Sequence, residues 1–182
     1  DSTGAVTDNE LVTPLLTGDF AVDYTQGSGV LVANNTPAME LNNTLTNDTF
    51  YVYFDEEGKI REQIDADNLT FIGNFSDLVD CIVIDRPVVL LSDNATLNDI
   101  AMFIESDNVT VNGFVFEAEN LINVIEVCEA DNVAIADNEF YVTGVADVDN
   151  IVIGIVDSVN ASVLYNEIYF DADTNGTHLN TV

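Results

Sequence analysis

The sequence predicts an all-β fold, a right-handed parallel β-helix of about five coils with a non-repeating N-terminal segment. A short phrase containing Asn and alternating apolar residues recurs at nearly regular intervals. A second Asn follows most copies of the phrase at a fixed distance. Each interval also contains three short runs rich in Val, Ile and Phe, which assigns three strands to every coil.

The recurring phrase marks the first strand of each coil. It occupies residues 67–71, 107–111, 131–135 and 159–163, with a degenerate copy at 87–91. Its Asn position falls at 68, 88, 108, 132 and 160, so the copies are separated by 20, 20, 24 and 28 residues. We expect each interval to be one coil, stacked on the next at about 4.8 Å.

Alternation within the phrase predicts which side chains enter the core. Thr110 and Ala134 are expected to face outward, and their neighbours inward. The expected inward positions, stacked coil on coil, are Val89, Leu91, Val109, Val111, Val133 and Ile135.

The second Asn marks the bend that leads to the other strands. It is Asn74, Asn94, Asn138 or Asn166, and Asn112-Gly113 replaces it in one coil. Asn suits such bends because its side chain bonds nearby backbone and tolerates left-handed conformations, and aligned Asn side chains can form a ladder. The predicted second strands are 95–97, 114–116, 140–142 and 168–170, and the third strands are 81–84, 101–104, 124–127 and 151–156.

A β-sandwich is the alternative fold, since it also consists of short strands at regular spacing. It requires antiparallel hairpins, and the hairpin dipeptide Asn-Gly occurs only at Asn112 and Asn175. A sandwich also gives no reason for an Asn phrase in register. The β-helix is therefore favoured.

Charge excludes several classes of partner. The chain has 33 acidic residues and three basic ones, Lys59, Arg61 and Arg86, for a formal charge of -30. Nucleic acids and anionic membrane surfaces would be repelled, because binding there depends on Lys and Arg. No apolar run approaches the roughly 20 residues of a membrane helix. An acidic surface suits a salty or cation-rich extracellular setting, and we expect an export signal to have been removed already.

The two cysteines are expected to be buried thiols. Cys81 begins a third strand and Cys128 follows the corresponding strand two coils later. A separation of two coils is about 9 to 10 Å, beyond the roughly 7 Å limit for Cα atoms joined by a disulfide.

N-glycosylation motifs are more frequent than composition predicts. Nine Asn-x-Ser/Thr sites occur, against about 2.7 expected by chance from 21 Asn and 23 Ser or Thr. Surface glycosylation is therefore a hypothesis. The candidate acceptors are Asn34, Asn42, Asn47, Asn68, Asn74, Asn94, Asn108, Asn160 and Asn175.

The repeat divides the chain into an N-terminal segment, residues 1–45, and a β-helix domain, residues 46–182. Two roles are open for the first segment: a cap over the end of the helix, or an arm that packs on another subunit. Residues 49–54 are predicted to form a strand with Phe50, Val52 and Phe54 inward, followed by a turn at 55–58.

Four stretches carry a resemblance to a known family: residues 46–58, 84–88, 92–97 and 107–114. Through them, residues 46–170 resemble the adhesin-like surface proteins of archaeal methanogens, which are similar in fold to the pectate-lyase-like superfamily. The resemblance implies a parallel β-helix and a location at the cell surface. Such phrases imply architecture better than activity.

The pectate-lyase-like superfamily includes polysaccharide lyases and hydrolases, so a carbohydrate-active enzyme is the alternative function. Lyases of this shape combine Asp-bound calcium with an Arg or Lys base. Here Arg61, Arg86 and the single His178 are scattered along the sequence. We therefore expect no catalytic residues and no required cofactor.

A calcium site is the one metal hypothesis. Asp171, Asp173 and Asn175 place oxygen ligands at alternate positions before Gly176, like the first half of a calcium loop. Val182 stands where an EF-hand has its Glu, which excludes an EF-hand. The other interpretation is an acidic turn with Asn175 as a glycan acceptor.

These observations predict a non-catalytic extracellular surface protein. It is either an adhesion module or a structural subunit that stacks end to end into a filament. The expected partners are other copies of the chain, other cell-surface proteins or glycans. The alternatives are a carbohydrate-active enzyme and a calcium-stabilised carbohydrate-binding module.

Overall fold

The computed structural model describes residues 43–119, 121–143 and 150–170, together with the backbone of residue 149 and of short strands at 4–7, 10–12, 30–33, 36–38 and 178–180. The chain divides into two units, residues 1–42 and residues 43–182. The repeat in the sequence predicts this division three residues later, after residue 45.

The described residues of the first unit form four short strands. The strands are β1 (Gly4–Thr7), β2 (Glu10–Val12), β3 (Val30–Ala33) and β4 (Thr36–Ala38). β1 pairs with β3 and β2 with β4, both in parallel. Both pairs join residues 26 positions apart, since Gly4 is opposite Val30 and Glu10 is opposite Thr36.

The second unit is a parallel β-helix of about five coils, which confirms the predicted fold class. Every strand pair in it is parallel, whereas a β-sandwich would be built from antiparallel pairs. Its strands are β5 (Thr44–Leu45), β6 (Asn68–Phe75), β7 (Cys81–Ile84), β8 (Val89–Asn98), β9 (Ala101–Ile104), β10 (Thr110–Asn112), β11 (Val115–Ala118), β12 (Asn123–Cys128), β13 (Ala134–Ala136), β14 (Glu139–Val142), β15 (Asp149–Val156), β16 (Ser162–Leu164), β17 (Glu167–Phe170) and β18 (His178–Asn180).

The strands form three faces, as the sequence predicts. The first face contains β5, β10, β13, β16 and the first halves of β6 and β8. The second face contains β11, β14, β17 and the second halves of β6 and β8, because these two strands continue around the corner. The third face is β7, β9, β12, β15 and β18. The predicted bounds of β7 and β9 are confirmed.

The core of the first face is a column of stacked aliphatic side chains. Paired positions run through Leu69, Leu90, Val111, Ile135 and Val163. The coil steps along this column are therefore 21, 21, 24 and 28 residues. The last two steps agree with the prediction, and the first two are one residue longer.

The inward positions predicted at Val89 and Leu91 are wrong by one residue. Val88 and Leu90 are buried, whereas Val89 is half-buried and Leu91 is 36% exposed. Residues 88–91 are all apolar, so alternation does not fix their phase; pairing with the neighbouring coils does. The other predicted inward residues are buried as expected: Val109, Val111, Val133 and Ile135.

Left-handed residues occupy the corners, one above another. At the corner before the first face, Asn108, Asn132 and Asn160 have φ of 60°, 59° and 58°. The amide of Asn160 donates to Asn132 Oδ1 at 3.2 Å. Asn tolerates this conformation better than other non-glycine residues, which explains its recurrence in the phrase. Asn68 is not equivalent to these, because it pairs with Val89, which pairs with Thr110.

The predicted Asn ladder exists at two of its four positions. Asn138 is fully buried; its Oδ1 accepts the Phe114 N–H at 2.9 Å, and its amide donates to Val111 O at 3.1 Å and to Asn166 Oδ1 at 2.9 Å. Asn166 Oδ1 also accepts the Asn138 N–H at 3.0 Å. By contrast, Asn74 and Asn94 are exposed.

Residues 49–54 are not a strand. A 3-10 turn at Asn47–Thr49 leads into the single helical turn α1 (Phe50–Tyr53). Helical spacing brings Phe50 and Phe54 together, with ring centroids 4.7 Å apart, and these rings continue to Phe71 and Phe75 in the first coil. Tyr53 is buried, whereas a strand would have turned it outward.

The turn predicted at residues 55–58 is confirmed. Gly58 has φ of +78°, and an added Cβ would lie 2.0 Å from the carbonyl oxygen of Cys81. This turn therefore packs directly against the third face, where a side chain has no room. Among the described residues, no helix is long and apolar enough to cross a membrane.

Candidate functional site

Both arginines hold the start of the β-helix together. The Nε of Arg61 donates to the carbonyl oxygens of Tyr51 and Phe54, at 2.8 and 2.9 Å, just after the helical turn α1. Arg86 donates to the carbonyl oxygen of Ile60 at 2.9 Å, and its Nε lies 3.5 Å from Asp85 Oδ1. Each arginine thus supplies donors to backbone carbonyls near α1, which gives both a structural role.

The two cysteines are free thiols, as predicted, and each is half-buried rather than buried. Burial raises the pKa of Cys81 to about 11, with smaller contributions from Glu126 and Asp80. The pKa of Cys128 is also raised, by desolvation and by the nearby carboxylates, of which Glu129 contributes most. Both thiols are therefore held in the protonated form, which is the less nucleophilic one.

The predicted calcium ligands Asp171, Asp173 and Asn175 lie outside the described residues. His178 lies on β18, where its backbone is opposite Asp149. Within the part of the chain that the structure describes, no group of three or more His, Cys, Asp or Glu side chains is arranged to hold a metal ion. The calcium hypothesis therefore stays a prediction.

The glycosylation candidates fall into three groups. Asn34, Asn42 and Asn175 lie outside the described residues. Asn47 is half-buried, and its Oδ1 accepts the Ser76 N–H at 3.0 Å. The remaining candidates are exposed on the β-helix surface: Asn68, Asn74, Asn94, Asn108 and Asn160.

A stacked pair of tyrosines on the second face is a feature that the sequence analysis missed. Tyr141 of β14 and Tyr169 of β17 occupy paired positions, and their rings stack with centroids 4.7 Å apart and planes 9° from parallel. The hydroxyl of Tyr141 donates to Glu139 Oε2 at 2.9 Å, and that of Tyr169 donates to Glu167 Oε2. Both tyrosines are exposed.

This pair lines a groove with further acidic side chains. Glu117, Glu119 and Thr143 contribute to its wall beside the two rings. The hydrogen bond to Glu167 raises the pKa of Tyr169 to about 12, and the bond to Glu139 raises the pKa of Tyr141. The phenols therefore remain donors that orient these carboxylates. Stacking covers one face of each ring, so the groove combines exposed ring surface with hydroxyls and carboxylates.

The sequence does contain a signal for the tyrosine pair. Glu-x-Tyr occurs at residues 139–141 and again at 167–169, 28 residues apart. That spacing equals the step of the last coil, so the two copies must stack. The outward positions of the repeat therefore carry structural information, as the inward ones do.

Among the described strands, none pairs with the far edges of β16 and β17, and we call the coil they belong to the open end of the core. β16 and β17 are end strands of their sheet among the described strands. The inward residues Val163, Ile168 and Phe170 are only half-buried. The residues paired with them one coil earlier are buried, with exposed fractions of 1% for Ile135, 0% for Phe140 and 3% for Val142. Within the described part of the chain, no further coil covers these inward side chains in the way that each coil covers the one before it.

Apolar side chains also crowd the outside of this end. Val159, Leu164 and Tyr165 are 60%, 52% and 82% exposed. Tyr165 has φ of 57°, in a corner column whose earlier members include Asn94, Gly113 and Asp137. A bulky residue is rare in this left-handed conformation, and here it presents an aromatic ring to solvent.

In the described residues, these features define an acidic β-solenoid whose last coil has unpaired strand edges and whose surface carries an exposed tyrosine–glutamate groove. Comparison with protein-family models, with curated proteins and with solved structures found no match to the chain. A β-solenoid supports many functions, so the function must be argued from these surfaces.

Proposed function

We propose that this chain is a non-catalytic extracellular surface protein that acts as a structural subunit, stacking end to end into a filament. The observation that carries the proposal is the open last coil. Its inward residues Val163, Ile168 and Phe170 are half-buried, and its strands β16 and β17 have edges with no partner among the described strands. Such an edge is a template for a further strand.

The opposite end of the β-helix differs from this one. There the helical turn α1 and β5 pack on the first coil, so Leu45, Phe50 and Phe54 are fully buried. The two ends of the described β-helix therefore differ, and this difference gives the solenoid a polarity. Contacts between unlike ends do not close into a pair and so extend into fibres.

The exterior and the resemblance support an extracellular setting. The formal charge of -30 is tolerated best where salt or divalent cations screen it. The sequence phrases within residues 46–170 are the basis for expecting a surface protein of the archaeal adhesin-like kind, and exposed glycosylation motifs such as those at Asn108 and Asn160 suit an exported chain.

Electron microscopy of the purified chain tests the proposal. In about 1 M NaCl, where the Debye length is about 3 Å, we expect fibres with a regular axial repeat. Ile168→Asp should abolish them, because a charge at a stacking position has no partner. Glu167→Gln, on the outward side of the same strand, should not. Dispersed single chains of the native sequence under all salt conditions would refute a filament subunit.

The tyrosine–glutamate groove favours a second candidate, an adhesion module. Exposed Tyr141 and Tyr169, with oriented carboxylates beside them, offer hydrogen-bond acceptors and ring edges to a ligand at the cell surface. Titration with a neutral oligosaccharide such as cellohexaose, monitored by tyrosine fluorescence, tests this role. Binding that Tyr169→Ala removes and Tyr51→Phe retains supports it. An unchanged signal for the native chain counts against it.

A further inference from the structure

The first unit of the chain repeats a motif found in the last two coils. In coils with β13–β14 and β16–β17, an apolar residue precedes Asn by three positions, and Glu follows the Asn. The first unit has the same order twice, with Thr replacing Glu in the second copy. We call this the corner motif; its copies are residues 6–11, 32–37, 135–140 and 163–168.

The backbone places the four copies in equivalent pairs. Val6 is opposite Val32 and Glu10 is opposite Thr36, so β1–β2 lies in register with β3–β4. In the same way, Ile135 is opposite Val163, and β13–β14 lies in register with β16–β17. In every copy two residues separate the two strands. Both units thus contain paired strands that are separated by two residues and lie in the same register.

We propose that β1 and β2 of a second copy of this chain pair with β16 and β17, continuing the parallel stack from one subunit to the next. The register positions of Val6, Thr7 and Leu11 of the incoming copy would then follow Val163, Leu164 and Ile168. This proposal rests on the filament function and names the contact that forms it.

Three properties of the open end favour this occupant. The free edges of β16 and β17 can each accept a further parallel strand. A corner motif supplies two strands with the same two-residue separation, so both edges can form backbone hydrogen bonds at once. An incoming coil would cover Val163 and Ile168, which are only half-buried in the single chain. The motif also has an Asn at the position that would follow Asn166. In the β-helix, an Asn side chain at this position accepts a backbone N–H from the coil before it, since Asn166 Oδ1 accepts the Asn138 N–H.

One register position opposes the contact at low salt. Glu10 of the incoming copy would follow Glu167, as Glu167 follows Glu139. Like charges directly opposite each other in a sheet are destabilising. Assembly is therefore expected to strengthen as salt increases, which agrees with an extracellular polyanion.

Disulfide trapping between two different variants tests the contact. In a background with Cys81→Ser and Cys128→Ser, chains carrying Thr7→Cys are mixed with chains carrying Leu164→Cys in about 1 M NaCl and oxidised. In-register neighbours in parallel strands lie about 4.8 Å apart, within the range that a disulfide spans. We expect a cross-linked heterodimer.

Leu91→Cys replaces Leu164→Cys in the matched control. Leu91 and Leu164 lie in the same outward column, and both are exposed, at 36% and 52%, but Leu91 lies in a coil whose neighbours are both present. No heterodimer above background is expected with Leu91→Cys. Equal cross-linking with Leu91→Cys and Leu164→Cys would show random collisions and overturn the proposal.

The remaining outcomes separate this contact from the filament function. Fibres without the Leu164 cross-link would mean that subunits assemble through another surface. Dispersed chains without cross-link would overturn both proposals.

A measurement on the native chain complements the trapping: amide exchange in peptides covering 162–170 should slow by ~10-fold or more on assembly, since tenfold corresponds to only about 1.4 kcal/mol. Unchanged exchange in visible fibres would also overturn the contact.

Discussion

At the scale of single residues, the side chain of Asn138 replaces strand pairing at the corner between the first two faces. It connects three coils, because it accepts the Phe114 N–H, donates to Val111 O and donates to Asn166 Oδ1. It is fully buried, so water does not compete for these bonds. Each bond satisfies a polar group that the bend takes out of the regular ladder.

Replacing Asn138 should therefore be costly. Asn138→Ala leaves the Phe114 N–H and the Val111 carbonyl without this partner inside the protein, and each such group costs about 1–3 kcal/mol. We expect the free energy of unfolding to fall by roughly 2–4 kcal/mol, measured by urea denaturation.

Asn68→Ala is the matched control, since Asn68 is exposed on a strand of the first face. Its cost should stay within about 0.5 kcal/mol, as for most surface substitutions. Equal losses for both variants would mean that the buried amide ladder contributes nothing special to stability.

The thiol of Cys81 should show the effect of burial on reactivity. Its pKa is raised from the ordinary 9.0 to about 11. At about pH 8 the thiolate fraction should thus be roughly 100-fold below that of an ordinary cysteine. Alkylation by iodoacetamide, followed by mass spectrometry in a Cys128→Ser variant, should be slow there and accelerate up to about pH 11. Fast alkylation at neutral pH, as in the urea-unfolded chain, would contradict it.

The same shift sets a direction for stability. Because folding raises the pKa of this thiol, the folded state favours the protonated form. The resulting stability is intact below the unfolded value of 9.0 and declines as pH rises toward about 11.

At the scale of elements, the register of β8 determines which of two adjacent leucines holds the core. Leu90 is fully buried in the column between Leu69 and Val111, whereas Leu91 is an outward residue. Leu90→Ala should cost about 2–5 kcal/mol through lost burial and a residual cavity. Leu91→Ala should cost less than about 1 kcal/mol. Urea denaturation of the two variants measures the difference, and a larger loss for Leu91→Ala would reverse the register.

The sequence predicted the strands of the β-helix well because their repetition is redundant. Three faces, five coils and the Asn phrase all indicate one architecture, so single ambiguities do not alter the fold. The assignment of inward and outward side chains was wrong where the pattern does not distinguish them. Residues 87–91 contain no Asn, and residues 88–91 are all apolar. There, only pairing with neighbouring coils determines which side faces inward.

The prediction of a strand at residues 49–54 was wrong for a related reason. Phe-Tyr-Val-Tyr-Phe fits alternation, but Phe50 and Phe54 are also spaced for one face of a helix. Tertiary contacts decide the case, because a helical turn buries both rings together with Phe71 and Phe75. Short aromatic runs fit either periodicity, so the preference of the isolated segment does not settle its structure.

The candidate surfaces were the least predictable part. The open coil depends on which strands lack a neighbour, and the tyrosine pair depends on register across coils. Neither is visible in one strand alone. The repeated Glu-x-Tyr becomes meaningful only when the 28-residue step between Asn138 and Asn166 is known to be one coil.

At the scale of the whole molecule, charge opposes the stacking that apolar burial favours. The parallel register places Glu139 directly opposite Glu167, and Asp side chains also occupy the corners. Asp107 Oδ1 accepts the Asp131 N–H, and Asp131 Oδ1 accepts the Val159 N–H, each at 2.7 Å. The negative charge of these Asp carboxylates is thus partly offset by backbone N–H donors, whereas Glu139 and Glu167 accept hydrogen bonds from the hydroxyls of Tyr141 and Tyr169.

Salt should therefore stabilise the fold of the single chain. Raising NaCl from about 0.1 to about 1 M shortens the Debye length from about 10 to about 3 Å and screens repulsion among the carboxylates. We expect Tm to rise by several degrees, since ~1 kcal/mol corresponds to about 2–4 °C for a domain of this size. Thermal unfolding followed by circular dichroism measures it, at a protein concentration where light scattering shows single chains.

Two controls test whether this effect of salt comes from repulsion among the stacked carboxylates. Near the sequence pI of about 4.1 the carboxylates are largely neutralised, so the salt dependence should nearly vanish. Glu139→Gln keeps an acceptor for the Tyr141 hydroxyl but removes one of the stacked charges, so it should raise Tm at low salt and have less effect at high salt. A Tm that falls with salt at neutral pH would mean that attractive charge pairs, rather than repulsion between stacked coils, dominate the electrostatics of this chain.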